Sequence, residues 1–209
     1  MISYKEILND TQIINIYNTI KQDKILWGDH SLLHINSVLK NIDKICQIFN
    51  IDQKTKELVL IAGVLHDTGV LQGKKGHAER SFEFAKQYLQ KFKEISENDK
   101  KIILFAIKNH SEISSEHNLE TKILVLADKC DITKTRVTQA GMNILGMREY
   151  SNINSVDIDI KDNVLVISIH TEPQFNKKEF LEFYFTETLN NAVKNITQSF
   201  DLDFKIEII

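Results

Sequence analysis

Leu58-Val59-Leu60-Ile61-Ala62-Gly63-Val64-Leu65-His66-Asp67-Thr68-Gly69 is the stretch that decides the architecture. Residues 53–67 carry apolar side chains nearly all round a helical wheel, which predicts a helix buried at the centre of its domain. That helix ends near Gly69 in an imidazole and a carboxylate, so His66 and Asp67 are expected at the rim of the core. The composition also favours helix, because a single proline and seven glycines leave few helix breakers in 209 residues.

The pattern extends in both directions. Upstream, residues 4–22 predict a helix through Ile7, Ile13, Ile14, Tyr17 and Ile20. Residues 31–49 predict a second, with Ile35, Val38, Leu39, Ile42, Ile45, Cys46 and Phe49 on one stripe. Downstream, Gly69 to Gly76 reads as a glycine- and lysine-bearing loop. Amphipathic helices over 77–93 and 98–111 are divided by Ser96-Glu97-Asn98-Asp99, and another helix is predicted near 120–136. Residues 137–155 read as a connector, loop or short helical piece.

The periodicity then changes. Val156 to Ile160 alternates strictly, Val164 to Ile169 is a β-branched run, and Asp162-Asn163 between them predicts a hairpin turn. A helix over 177–200 and an alternating tail over 204–209 complete a β-β-α-β pattern. The expectation is a mainly α protein: a helical bundle over 1–150 and a small α+β subdomain over 151–209. A hairpin alone is marginal in water, so the C-terminal unit is expected either to shape a substrate entrance or to make a homodimer.

A formal net charge of -3 offers no electrostatic reason for non-specific binding to nucleic acid or to an acidic membrane surface. Cys46 and Cys130 match no metal-binding or redox spacing and suit a reducing compartment. No apolar run approaches the roughly 20 residues of a membrane span, and Lys5, Glu6 and Asp10 interrupt the N-terminus. A cytoplasmic location is the resulting expectation.

The chemistry is suggested by where ionisable residues fall on these helices. His34 lies four residues before Val38 on the inward stripe, His110 follows Ile103, Ala106 and Ile107, and Asp128 sits within the apolar Ile123 to Ala127 stretch. Such groups pointed at a shared interior need a compensating charge, because burying them unpartnered costs several kcal/mol. A divalent cation supplies it. Imidazole with carboxylate and no thiolate suits catalytic Fe, Mn, Co, Ni or Zn better than a structural zinc site.

Asp29-His30-Ser31-Leu32-Leu33-His34-Ile35-Asn36-Ser37-Val38, Ala62 to Gly69, and Leu126-Ala127-Asp128-Lys129-Cys130-Asp131 resemble, in order, the His, His-Asp and Asp motifs of the HD superfamily. Gly76-His77-Ala78-Glu79-Arg80-Ser81 and Ala106-Ile107-Lys108-Asn109-His110 resemble the two extra histidines of its two-metal members, so the likeness spans about residues 28–136. The resemblance implies that His34, His66, Asp67 and Asp128 hold one ion and that Asp67, His77 and His110 hold the other. It implies two divalent ions per chain, drawn from Fe, Mn, Co, Ni or Mg, with Asp67 and His66 as catalytic residues.

Taken singly, a histidine on an apolar helix face is more often a hydrogen-bonded core residue than a ligand. His30 competes for the first position and is read as near the site or in its wall. His117 is read as solvated and His170 as structural. Asp131, one turn beyond Asp128, would either orient a ligand or make a surface ion pair. Val70 departs from the pattern, since many family members have lysine there, approaching the substrate. Lys74, Lys75, Arg80 or Lys108 is expected to supply the positive charge instead.

The implied activity is metal-dependent hydrolysis of a phosphoester or phosphoanhydride, with a metal-bridged hydroxide as nucleophile. Nucleotides are the expected substrates, because a similar ligand order occurs in dinucleoside tetraphosphate hydrolases and cyclic di-nucleotide phosphodiesterases. The Gly-Tyr-Pro motif of the latter is absent here. The rival readings are a dinuclear-iron oxygenase and a sensor domain that binds a nucleotide without turning it over.

Overall fold

The structure is a computed structural model and describes residues 2–209. Among these, nine α-helices precede or accompany one small sheet. They are α1 (Tyr4–Leu8), α2 (Thr11–Ile20), α3 (Leu32–Ile48), α4 (Gln53–Leu65), α5 (His77–Tyr88), α6 (Glu97–Asn109), α7 (Leu119–Lys129), α8 (Lys177–Glu182) and α9 (Tyr184–Thr197). The strands are β1 (Ile153–Lys161), β2 (Val164–Thr171) and β3 (Asp203–Ile208). The mainly α bundle with a C-terminal α+β element agrees with the sequence expectation.

Helix α4 is the centre of the bundle, and every residue from Leu58 to Leu65 is buried. It packs against α3, α6 and α7. Gly63 permits the closest of these approaches, because a Cβ there would meet Ile42 Cδ1 at 2.7 Å and Leu39 Cδ2 at 3.3 Å. The Asp52 carboxylate starts α4 by accepting from the Lys54 and Thr55 amides, both at 3.0 Å. The C-terminus of α4 is thereby aimed at the inner faces of its three neighbours.

Three expected element boundaries are corrected. The helix expected over 4–22 is broken at Asn9-Asp10, where Asp10 caps α2 by accepting from the Gln12 amide at 2.8 Å. The same carboxylate accepts from Tyr88 Oη and Lys91 Nζ, both at 2.8 Å, so tertiary partners hold the break open. The helix expected over 177–200 is broken at Phe183, which is extended (φ −75°, ψ 127°). Thr186 Oγ1 donates to the freed Phe180 carbonyl at 2.6 Å, and Phe183 Cβ crowds Gly146, whose φ of +81° requires glycine. The helix expected over 120–136 stops at Lys129, and the chain beyond it crosses to residues 28–29, where the Asp29 amide donates to the Arg136 carbonyl at 2.7 Å.

The hairpin forms as expected, with Asp162 and Asn163 at φ of 50° and 64° in its turn. Strand β2 lies in the middle, antiparallel to β1 and parallel to β3. Parallel neighbours need a crossover, and α8 and α9 provide it. Helix α9 packs on α7 and β1 on α3, so Phe180, Leu189, Val193, Ile158 and Ile167 join the same apolar cluster as Leu124 and Ile61. The helical crossover thus lies beside the end of α7 that carries Asp128.

Candidate metal centre

His34 projects from α3, His66 and Asp67 from the end of α4, His77 from the first position of α5, His110 from the end of α6, and Asp128 from α7. All six are at most 6% exposed. Gly69 allows α5 to start against this point, since a Cβ there would meet the His77 carbonyl oxygen at 2.3 Å and the Ser81 amide at 2.6 Å. Ser81 Oγ accepts from the Gly69 amide at 2.9 Å and fixes the contact.

Hydrogen bonds to Nδ1 decide the tautomer of each imidazole. His66 Nδ1 donates to the Gly63 carbonyl at 2.8 Å, His77 Nδ1 to the Lys74 carbonyl at 2.8 Å and His110 Nδ1 to the Ile107 carbonyl at 2.6 Å. His34 Nδ1 donates to Asp131 Oδ2 at 2.6 Å. A neutral ring with its hydrogen on Nδ1 presents a lone pair at Nε2. All four Nε2 atoms converge on Asp67 and Asp128.

They converge in two groups. His34 Nε2 is 3.4 Å from His66 Nε2 and 3.3 Å from both Asp67 Oδ2 and Asp128 Oδ1. His66 Nε2 is 3.4 Å from Asp67 Oδ2 and 4.0 Å from Asp128 Oδ1. In the second group, Asp67 Oδ1 is 3.2 Å from His77 Nε2 and 3.6 Å from His110 Nε2, and these two nitrogens are 2.9 Å apart. Asp67 therefore divides its carboxylate, one oxygen to each group.

This donor set fits divalent cations. Two ligands held about 2.0–2.1 Å from one ion at tetrahedral or octahedral angles stand roughly 2.8–3.4 Å apart, the range in which most of these distances fall. The buried Asp67 Oδ1 has no hydrogen-bond donor in the protein, because the facing imidazole nitrogens carry lone pairs. Facing lone pairs repel, and a shared cation removes the repulsion.

The surrounding groups keep Asp67 and Asp128 ionised and His110 neutral, while His34 holds a proton. Burial opposes ionisation of Asp67, yet His66, His30 and Lys74 around it hold its carboxyl well below the usual range. Burial likewise opposes ionisation of Asp128, and the Lys129 ammonium, 2.6 Å from its Oδ2, together with His34 and His66 holds its carboxyl well below the usual range. Burial lowers His110 to about 4 and keeps it neutral. Burial and Arg136 push His34 down, but Asp128, Asp131 and Asp67 prevail and raise it to about 10, so a proton competes with a metal for its Nε2.

The remaining sequence expectations divide. His30 stands in the wall, its Nδ1 donating to Asp67 Oδ2 at 2.5 Å. Asp131 orients His34 and is buried, so the surface ion pair is not its role. Lys74 lies at the site, with Nζ 3.3 Å from His77 Nε2 and 4.0 Å from Asp67 Oδ1. Arg80 braces the loop instead, donating to the carbonyls of Gly69, Gly73 and Lys75, and Lys108 pairs with Glu79 at 3.2 Å. Neither these two nor Lys75 lines the cavity above the site, whereas Lys129 and Arg136, unforeseen in the sequence, do. Adjacency to Asp128 was the one signal for Lys129. Nothing local marks Arg136, which only the crossing of residues 131–137 over Gly28 brings to the site.

Residues 32–133 match the family model of the HD domain. No protein of curated function matches this chain. Among solved structures, the crystal structure at 1.45 Å of a predicted HD superfamily hydrolase from an uncultured Thermotogales bacterium is similar to it. The likeness covers 63% of this chain and 75% of that one at 23% identity, with a TM-score of 0.47. All six convergent ligands fall inside the matched segment, while Arg136 and the whole sheet fall outside it. Residues 32–133 of the chain are an HD domain, the domain of a superfamily of metal-dependent hydrolases.

Proposed function

We propose that this protein hydrolyses a phosphoester or phosphoanhydride bond, in a nucleotide or a similar small phosphorylated molecule, with two divalent ions. The observation that carries the reading is the divided Asp67 carboxylate, whose two oxygens face two separate clusters of imidazole lone pairs. His34, His66, Asp67 and Asp128 would hold one ion, and Asp67, His77 and His110 the other. Two divalent ions bound there would supply hydroxide near neutral pH and a counter-charge for a phosphoryl group.

The protein's own residues do the rest. Asp131 and the carbonyls of Gly63, Lys74 and Ile107 hold four imidazoles in the tautomer that leaves Nε2 free. His30 donates to Asp67 Oδ2 and fixes the carboxylate between the clusters. Lys74, Lys129 and Arg136 line the cavity beside the ligands, so anionic oxygens of a substrate meet positive charge on entry. The cavity, about 590 Å³, is of the size that takes a nucleotide-sized ligand. In this reading residues 1–150 carry the chemistry and residues 151–209 contribute part of the cavity wall.

The test is phosphate release from a panel of nucleotides and aryl phosphates by protein loaded separately with Mn, Fe, Co, Ni and Mg. Release that disappears with chelator and in Asp67→Ala is the expected outcome. Absence of release with every metal counts against the reading, and substrate-dependent oxygen uptake by the iron-loaded protein would replace it with the oxygenase reading.

A further inference from the structure

The cavity above the metal centre has two unlike ends. At one end lie His30, Lys74, His77, His110, Asp128 and Arg136, and at the other lie aromatic side chains from two separate parts of the chain. Trp27 comes from the loop before α3, Phe183 from the break between α8 and α9, and Tyr184 and Phe185 from the first turn of α9. Trp27 and Tyr184 both line the cavity and are 47% and 62% exposed although large and apolar, and Tyr184 packs edge-on against Phe183 with ring centres 4.8 Å apart. Lys129 joins the ends, its Nζ 2.6 Å from Asp128 Oδ2 and 5.1 Å from the centre of the Phe185 ring.

Arg136 shows what the charged end lacks. Its side chain is 8% exposed, and its guanidinium lies against the backbone of Gly28, where a Cβ would meet Arg136 Cζ at 3.4 Å. Nη1 is buried without a hydrogen-bond partner. Nη2 is 3.4 Å from His30 Nδ1, but that nitrogen already donates to Asp67 and cannot accept. Nε is 4.0 Å from Asp131 Oδ2, which is engaged by His34 at 2.6 Å. A permanently charged fork has been buried with no acceptor of its own.

Around the metal centre the carboxylates Asp67, Asp128 and Asp131 stand against the cations Lys74, Lys129 and Arg136, and Asp23 adds one further carboxylate to the cavity lining. Two divalent ions bound there would add four positive charges, more than this lining offsets, which favours an anionic ligand.

We propose that the cavity is a two-ended receptor for a phosphoryl anion attached to a flat, ring-bearing group: Arg136 grips a phosphoryl oxygen beside the metal centre, and Tyr184 and Trp27 take the ring. The choice of a phosphoryl anion rests on the hydrolase reading above; the requirement for an anion at Arg136 does not. Arg136 forms charge-assisted hydrogen bonds that a lysine cannot reproduce in pairs. The ring is recognised by stacking and by exclusion of water, which tolerates different ring chemistries.

Titration calorimetry on the manganese-loaded full chain tests this with phenylphosphonate and methylphosphonate, which share an anion and differ in the ring. Phenylphosphonate is expected to bind about tenfold more tightly, the size of a single stacking contact. Tyr184→Ala should remove most of that preference and leave methylphosphonate unchanged. Arg136→Gln should weaken both probes by about tenfold or more with manganese content intact, and Arg136→Lys should weaken them less. Equal binding of the two probes by the wild type, or unchanged affinities in a manganese-replete Arg136→Gln protein, would overturn the proposal. Should Arg136→Gln fail to fold, the probe ratio in Tyr184→Ala decides, because that exposed ring is not part of the core. Release of phosphate from the nucleotide and aryl phosphate panel by the wild type is scored separately, so binding of the phosphonates with no release from any member of the panel would sink the hydrolase reading and leave the receptor standing.

Discussion

His77 Nε2 and His110 Nε2 face each other at 2.9 Å while each ring spends its Nδ1 hydrogen on a backbone carbonyl. Two lone pairs at that distance repel unless a proton or a metal ion lies between them, and Asp67 Oδ1 stands beside both as a further ligand. Elemental analysis of protein purified without chelator is expected to find two first-row divalent ions per chain. Asp67→Ala should lose both, and His77→Ala or His110→Ala should lose one preferentially. Unchanged stoichiometry in His77→Ala would show a mononuclear site.

Asp131 touches no candidate ion, yet it sets the tautomer of His34. Asp131→Ala should leave the fold intact and weaken metal binding by about 10–100-fold, the usual effect of removing a carboxylate behind a ligand histidine. Competition with a fluorescent chelator measures it.

Metal uptake should release a proton. His34 in the metal-free protein is raised to about 10, so below that pH its Nε2 carries a proton that the ion must displace. Apparent affinity is therefore expected to fall as pH falls from 9 towards 6, by up to about tenfold per unit for one proton. Parallel titrations in buffers of different ionisation enthalpy count the protons. A pH-independent affinity over this range would contradict the arrangement around His34.

Asp10 couples α2 to the distant Tyr88 and Lys91, so its loss tests the fold apart from the site. Asp10→Ala removes a helix cap and two hydrogen bonds and should cost about 1–2 kcal/mol by denaturant unfolding, with metal content unchanged. Hydrogen bonds from Lys91 and Tyr88 lower the Asp10 carboxyl in the folded state, against a smaller opposing effect of burial. This contribution is therefore present above the unfolded carboxyl pKa near ~3.9 and is lost as pH falls through the folded value. The difference between wild type and Asp10→Asn should shrink accordingly in acid.

Gly69→Ala would place a Cβ 2.3 Å from the His77 carbonyl oxygen and 2.6 Å from the Ser81 amide. Backbone atoms cannot yield as a side-chain end does, so α5 must shift. The expected cost is about 1–3 kcal/mol of stability together with loss of metal from the His77–His110 group ahead of the other. Stoichiometry and thermal unfolding on the same sample check it.

The amino-acid sequence by itself determined the buried central helix, the helices around it and the inward direction of His34, His110 and Asp128. It did so because a helix repeats every 3.6 residues and the apolar stripe shows which face lies inside. The hairpin was legible for the same reason, through alternation and the Asp162-Asn163 turn. The motif order pointed to the ligands, and residues 32–133 do form the HD domain that it implied. Only the tertiary structure decided how Asp67 divides its oxygens, which of the nearby cations reach the cavity, and that Arg136 and Tyr184 line the same cavity. It also decided the breaks at Asp10 and Phe183, which Tyr88, Lys91 and Gly146 hold from elsewhere in the chain. Periodicity reports the face of an element and carries nothing about the path of the loops between elements. Residues such as Arg136 acquire their partners only when that path closes.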